Sequence, residues 1–406
     1  MAFGDGPDDA ALDTAWGDFC DRLKAAGRHA FKDHNPADPL QRADAFRFLT
    51  QNLGQAFDLA LETRDTRFPL LHDFCNPTRK LGGDCADFTY VQAWVDGHSV
   101  YRITGNRGTA RFVNFTVQGP RPVRLASGAP PLHDPFGDVP EANLFGHQLK
   151  TNWDGGFELF IGGERQGQNW LPTTPGTRKL FLRQGFDRFD ERPATMRIER
   201  VGMEGPRPLP TPADMIGAFD WAGDFVSNIM AEWPDWSFAN GGVDATRPNA
   251  FPVLIDTGED RKRGRAATAM HWVLAPDEAL IVEFDAHDGL WMFTNGGVFM
   301  NSMDFLYRPV STTPSRTAVD ADGRIRLILA HEDPGFANWI DTQGFTRGNL
   351  TYRHMLEGAP VPLATRLVKR ANLAAALPAD SATVTPAERL ERMRARFDGI
   401  RQRYGL

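Results

Sequence analysis

Four groups of side chains in this chain have the types and spacing for chemistry. The first is His331, Asp333 and Asp341. A histidine between carboxylates can titrate near neutral pH and serve as general acid or base. The second is Asp84, Asp87 and Tyr90, just after Gly82-Gly83, with Tyr101 and Arg102 one strand later. A tyrosine and an aspartate can polarise a carbonyl or hydroxyl by hydrogen bonding. The third is Asp304, Tyr307 and Arg308, in which Arg308 is expected to pair with Asp304. The fourth is the pair of dipeptides Asn169-Trp170 and Asn338-Trp339. Tryptophan offers a large apolar face and one N–H, and asparagine offers both donor and acceptor. Such a pair can hold a lipophilic ligand by its one polar group, or lock its own loop. Each group also has a plainer structural reading: a loop-ordering His–Asp bond, a turn aspartate beside a half-buried tyrosine, and an ion pair.

The surroundings of the Asn-Trp pairs weigh on that choice. Gly156–Arg183, GFELFIGGERQGQNWLPTTPGTRKLFLR, and Gly323–Arg353, GRIRLILAHEDPGFANWIDTQGFTRGNLTYR, share one plan. Each runs apolar strand, glycine turn, Asn-Trp, second turn, then a strand ending in arginine. A third strand follows each, at Pro193–Val201 and Pro362–Arg370. Upstream, Val100–Phe115 resembles Leu280–Asn295. A period this long means tandem domains rather than a solenoid. A catalytic site rarely needs two copies, so the Asn-Trp pairs, Arg183 and Arg353 read as scaffold. The second copy differs in carrying His331-Glu332-Asp333 in place of Gly163-Glu164-Arg165, and Asp341 in place of Pro172.

These groups need elements to hold them. A chain of 406 residues favours two domains. Apolar residues at helical spacing predict helices over 9–30 and 38–62. From Gly82 onward, short β-branched and aromatic runs separated by glycines predict strands, and 120–143 reads as a long loop. Thr211, Pro212 and Asp214 open a helix that Pro234 is expected to end. Residues 234–265 read as irregular. Thr385, Pro386 and Glu388 open the last helix as a capping box. Its apolar stripe is Leu390, Met393, Phe397, Ile400 and Tyr404, and its arginine-rich side reads as solvated, with a homodimer contact or an anionic partner as the other reading. The divisions expected are a helical segment 1–79, a β-sandwich 80–205, a linker with helix 206–265, a second β-sandwich 266–372 and a C-terminal helix 373–406. The fold class is mainly β with accessory helices.

Composition narrows the function. Net charge is −7, which disfavours a nucleic-acid surface. The basic run Arg261–Arg265 reads as a solvated loop. Three cysteines without C-x-x-C disfavour a disulfide framework or zinc cluster. The acidic start lacks a signal-peptide pattern and no apolar run would span a membrane, so a cytoplasmic location is expected. His271, His287 and His331 lack ligand spacing, so no metal is expected. No G-x-S-x-G, H-E-x-x-H or phosphate loop is present, so no cofactor is expected. With 29 Phe and 10 Trp, much aromatic surface must be buried or line a cavity.

The motifs Asn169-Trp170-Leu171-Pro172, Asp333-Pro334-Gly335, Asn338-Trp339 and Asp341-Thr342 resemble the bacterial domain of unknown function 1214 family. So do Tyr101-Arg102-Ile103, Arg107-Gly108 and Tyr307-Arg308-Pro309-Val310. The resemblance implies two jelly-roll-like antiparallel β-sandwiches and little about chemistry. The functional expectation is a cofactor-independent acid–base enzyme, of lyase, hydratase or isomerase type, acting on a terpenoid, steroid-like or aromatic compound. The alternatives are a non-catalytic carrier of a hydrophobic ligand and a carbohydrate-active enzyme. His331, Asp333, Asp341, Asp87 and Tyr90 are the catalytic candidates. Tyr101, Arg102, Trp170, Asn338, Trp339, Asp304, Tyr307 and Arg308 are the ligand-binding ones.

Overall fold

The computed structural model describes residues 6–33, 35–120, 138–238, 246–252, 265–355 and 358–406. Two helices come first, α1 (Asp9–Gly27) and α2 (Pro39–Phe57), and α2 continues into one π-type turn, Asp58–Glu62. The Asp38 side chain caps α2 by accepting the Gln41 N–H. Nine strands follow: β1 (His72–Cys75), β2 (Phe88–Trp94), β3 (Tyr101–Asn106), β4 (Phe112–Gly119), β5 (Val139–Phe145), β6 (Gly156–Ile161), β7 (Trp170–Leu171), β8 (Lys179–Gly185) and β9 (Thr195–Arg200). After α3 (Pro212–Phe238) come β10 (Arg265–Val273), β11 (Glu278–Asp285), β12 (Leu290–Gly296), β13 (Ser311–Thr312), β14 (Arg324–Ala330), β15 (Trp339–Asp341), β16 (Arg347–Met355) and β17 (Ala364–Lys369).

The strands form two sandwiches of one topology. In the first, the sheet β1-β2-β8-β4-β5 packs on β7-β6-β3-β9; in the second, β10-β16-β12-β13 packs on β15-β14-β11-β17. Apart from β1, every strand of one half has its counterpart in the other. The sheets are antiparallel except where β7 pairs with β6 and β15 with β14, both parallel. These are the short strands of the two Asn-Trp motifs, placed identically in the two halves. Each sandwich encloses its own core, with Tyr101, Ile103, Phe115 and Leu182 in the first and Trp272, Phe284, Trp291 and Tyr352 in the second.

The two larger sheets turn their outer faces toward each other. Phe88 and Phe112 of the first half meet Leu290, Met292 and Met355 of the second. The helices cover one end of this seam, where Phe74 and Phe181 join Phe225, Trp233, Phe299 and Met300. The apolar part of this outer face is supplied by Phe88, Phe112, Leu290, Met292 and Met355. Elsewhere β4 and β16 alternate, with Phe115, Val117, Leu350 and Tyr352 inward and Asn114, Thr116, Asn349, Thr351 and Arg353 on the seam side.

Three expectations are corrected. Helix α3 continues through Pro234 to Phe238. The region 120–143 contains the start of β5, and 121–137 lies outside the described residues, as does most of the basic run Arg261–Arg265. The C-terminal helix, Pro386–Tyr404, has its predicted capping box, and Ile400 and Tyr404 of its predicted stripe pack on the second core, but half of its arginine side packs as well. Arg389, Arg396 and Arg403 are buried while Leu390 is 52% exposed. Buried acceptors explain those arginines. Arg389 pairs with Asp333 at 2.8 Å, Arg396 donates to the Ser311 carbonyl at 2.7 Å, and Arg403 donates to the Arg188 carbonyl at 3.1 Å.

Candidate functional site

The Asn-Trp motifs are locks in both halves. Asn169 accepts the Lys150 N–H at 2.7 Å and donates to the Lys150 and Glu158 carbonyls. Asn338 accepts the Ala318 N–H and donates to the Ala318 carbonyl, both at 2.8 Å. Trp170 donates to the Gly162 carbonyl and Trp339 to the Ala330 carbonyl. Both side chains of each pair are thus spent on their own strand ends.

The five catalytic candidates are held apart, and no hydrogen bond joins any two of them. His331 is bonded to the Thr342 hydroxyl at 2.7 Å and to the Ala275 carbonyl. Asp333 is taken by Arg389. Asp341 is buried and pairs with Arg308 at 2.9 Å, so the expected Arg308–Asp304 pair is replaced. Asp304 instead accepts the Leu306 and Tyr307 N–H groups in a turn. Tyr307 is 63% exposed, against Phe397 of the C-terminal helix. Tyr101 is buried in the first core; its hydroxyl donates to the Thr66 carbonyl and accepts from the Asp96 N–H. Arg102 lies on the outer face of the smaller sheet, paired with Glu199 and Glu158.

Asp87 is a clasp between the halves. Its carboxylate is wholly buried, 2.6 Å from Arg316 and 3.6 Å from Arg403. The Arg316 contact is a buried ion pair. Burial alone would raise the Asp87 pKa, but the guanidinium groups of Arg316, Arg403 and Arg396 outweigh it and hold the carboxyl below its usual value. Nearby, Lys80 donates to the Ser302 hydroxyl at 2.9 Å, and Asp84 accepts the Ser302 N–H at 2.8 Å. Burial pushes the Lys80 ammonium down to about 8.

Tyr90 is different, because it belongs to a face with partners to spare. Side chains alternate along β2. Val91 and Ala93 go into the sandwich, while Tyr90, Gln92 and Trp94 share the outer face. Across the ladder, Tyr90 is opposite Arg183 and Gln92 opposite Phe181, with Asn114 and Thr116 of β4 on the far side. On the near side β1 places His72 opposite Gln92. The floor is aromatic: the Arg183 guanidinium stacks 4.4 Å over Phe181, and Tyr90 lies 6.1 Å from the same ring. Gln92 is only 1% exposed, yet neither end of its amide has a hydrogen-bond partner. Nε2 of His72 is likewise buried without one. Burial lowers the His72 pKa, with Asp58 opposing, so the imidazole is neutral at pH 7. A buried amide without partners costs about 1–3 kcal/mol, so a cluster of such atoms on one face is a candidate for a binding site.

Arg353 looks onto this face from the second half. It occupies the position in β16 that Arg183 occupies in β8. Its Nη2 donates to the Gly83 carbonyl, and the Cys85 N–H donates to the Tyr90 hydroxyl at 3.0 Å. The Gly82-Gly83 turn, with φ of +69° and +67°, makes this approach. A Cβ on Gly83 would press Met300 at 3.2 Å.

The sequence pointed to Tyr90 but missed His72 and Gln92, and took the two arginines as scaffold. A signal for Gln92 was present: a lone amide between apolar neighbours in VQAWV, on a strand whose two faces are both apolar. A cleft of about 420 Å³ opens between Leu61, Arg64, Arg207, Leu209, Asp214 and Trp221; none of these candidates lines it, and Arg64 and Trp221 of its wall pack on Trp94. Among the described residues no His, Cys, Asp and Glu cluster could hold a metal ion, and no helix is long and apolar enough to cross a membrane.

A family model described as protein of unknown function (DUF1214) matches residues 91–184, from β2 through β8. A crystal structure of an uncharacterized protein from Burkholderia cenocepacia is 30% identical, covers 89% of this chain and 99% of its own, and superposes with a TM-score of 0.80. A Vibrio parahaemolyticus protein, 11% identical over 80% of this chain and 98% of its own, has a TM-score of 0.43, too low to carry an argument. No curated protein matches the chain. The shared length, the duplicated sandwich and the matched strands place this chain in the family of proteins of unknown function DUF1214.

Proposed function

We propose that this protein binds a small lipophilic molecule carrying one polar group, on the outer face of β2 and β8 at the seam between the sandwiches. One observation carries the reading: the Gln92 amide is buried on an aromatic floor with neither end bonded. Phe181 and the Tyr90 ring supply apolar contact, and Gln92 supplies a donor and an acceptor, as ligand sites of this kind do. The test is solvent extraction of the purified full chain followed by mass spectrometry, beside a thermal-shift screen of lipophilic compounds. A compound recovered from the native protein and depleted from Gln92→Leu supports the reading. Recovery of none, with no stabilisation by any compound, overturns it.

The acid–base reading, a lyase, hydratase or isomerase, is favoured by one further feature. His72 is neutral at pH 7 and its Nε2 has no partner, one strand from Gln92. A neutral imidazole with a free nitrogen is equipped to take a proton. On this reading His72→Gln keeps ligand affinity and loses turnover; equal loss of both by the variant counts against catalysis.

A further inference from the structure

We propose that Arg353 and Tyr90 form an oxyanion site, and that the ligand's polar group is a carboxylate or a similar acid. The inference rests on the ligand reading above and names the chemistry of that ligand.

Arg353 is 5% exposed, and its Nε and Nη1 have no hydrogen-bond partner; only Nη2 is used, on Gly83. A guanidinium has five N–H groups and no acceptor. The Tyr90 hydroxyl receives its one hydrogen bond from the Cys85 N–H, which leaves its own proton to give. Both groups hang on one three-residue turn, Gly83–Cys85. The carboxylate of that turn, Asp84, is turned away, accepting both the N–H and the hydroxyl of Ser302. The neighbouring Cys85 thiol lies against the Met292 sulfur and the Thr294 hydroxyl. The place therefore presents donors from both halves and offers no acceptor to them.

Buried N–H groups left without an acceptor are unfavourable. Asp84 acts on Arg353 electrostatically but gives it no hydrogen bond, its oxygens being taken by Ser302. The acceptor for Nε and Nη1 must therefore arrive from outside. A planar carboxylate accepts the Arg353 fork and the tyrosine proton together. Phe181 and Met300 then flank its apolar part.

Two matched pairs of probes test this on the full chain: octanoate with 1-octanol, and 3-phenylpropanoate with 3-phenylpropan-1-ol, by titration calorimetry. A charge-assisted grip predicts that an acid binds about tenfold or more tightly than its alcohol. Arg353→Met should bring the two level, and Tyr90→Phe should weaken the acid several-fold while leaving the alcohol unchanged. Should Arg353→Met not fold, Tyr90→Phe and Arg353→Lys carry the same comparison. Acid and alcohol binding alike in the native protein, or acids held as tightly by the variants, overturns the oxyanion site and leaves the ligand reading standing. A neutral compound recovered by extraction does the same. Failure of all four probes, with nothing extracted, removes both.

Discussion

The two large sheets offer equivalent faces to one seam, and they are furnished differently. Where β2 carries Tyr90, Gln92 and Trp94, β10 carries Ala267, Ala269 and His271. Where β8 carries Phe181 and Lys179, β16 carries Thr351 and Asn349. Only the arginine, Arg183 or Arg353, is the same. The Asn-Trp locks, by contrast, are kept in both halves, with the tryptophans on equivalent carbonyls and Asn169 making one bond more, to Glu158. Duplication thus preserved what each sandwich needs to close, and the halves diverged on the surfaces they share. The shared arginine apart, what the halves have in common serves folding, and what they do not share is concentrated on the seam.

Four measurements test that contrast. The largest effect belongs to the seam itself. Asp87→Ala leaves Arg316 and Arg403 buried without their carboxylate and should cost about 3–5 kcal/mol in urea unfolding; a loss below 1 kcal/mol would mean that the halves do not depend on the clasp. Next is His271, the residue that stands where the first half has Trp94. Burial, with Arg347 adding to it, lowers its pKa to about 4, against about 6.5 unfolded. The folded state then binds fewer protons between those values. Its contribution is fully present above pH 6.5 and is lost as pH falls toward 4, by up to about 3 kcal/mol. His271→Leu should flatten that slope in unfolding curves taken between pH 7.5 and 4.5.

The third compares the locks. Asn169→Ala removes three hydrogen bonds and should cost about 2–3 kcal/mol; Asn338→Ala removes two and should cost about 1–2 kcal/mol. Both should leave ligand binding unchanged, and a selective loss of binding from either would return the motif to the functional site. The smallest effect has the opposite sign. Gln92→Leu should stabilise the ligand-free protein by about 1 kcal/mol, since it removes an unpaired buried amide, and should weaken binding at the same time. A destabilised variant would show that the amide is satisfied after all.

Much of the scaffold was legible from sequence for a physical reason. Strands such as Phe157–Ile161 and Arg324–Leu329 lie between glycine turns, and the repeated Asn-Trp fixed the correspondence of the halves. The Thr385–Glu388 capping box is a local device and was read directly. Of the proposed site only Tyr90 was legible. Its other members are joined by sheet register and by the packing of one half on the other, across separations that no local pattern encodes. His72 and Gln92 are twenty positions apart, and Arg353 is far from both. The same cause hid the burial of Arg389, Arg396 and Arg403. Arginines every seven residues look like a solvated stripe until the carbonyls and carboxylates they reach are known.

That helix has a consequence for the order of assembly. Arg396 and Arg403 reach both sides of the seam, and the Tyr404 hydroxyl donates to the Phe88 carbonyl at the head of β2. During synthesis the first sandwich emerges whole long before residues 386–404 leave the ribosome. The nascent chain must therefore carry Phe88, Phe112 and the unbonded Gln92 on an open face while the second half is made. A hydrophobic ligand or a chaperone that occupies this face early would shape how the two halves finally join.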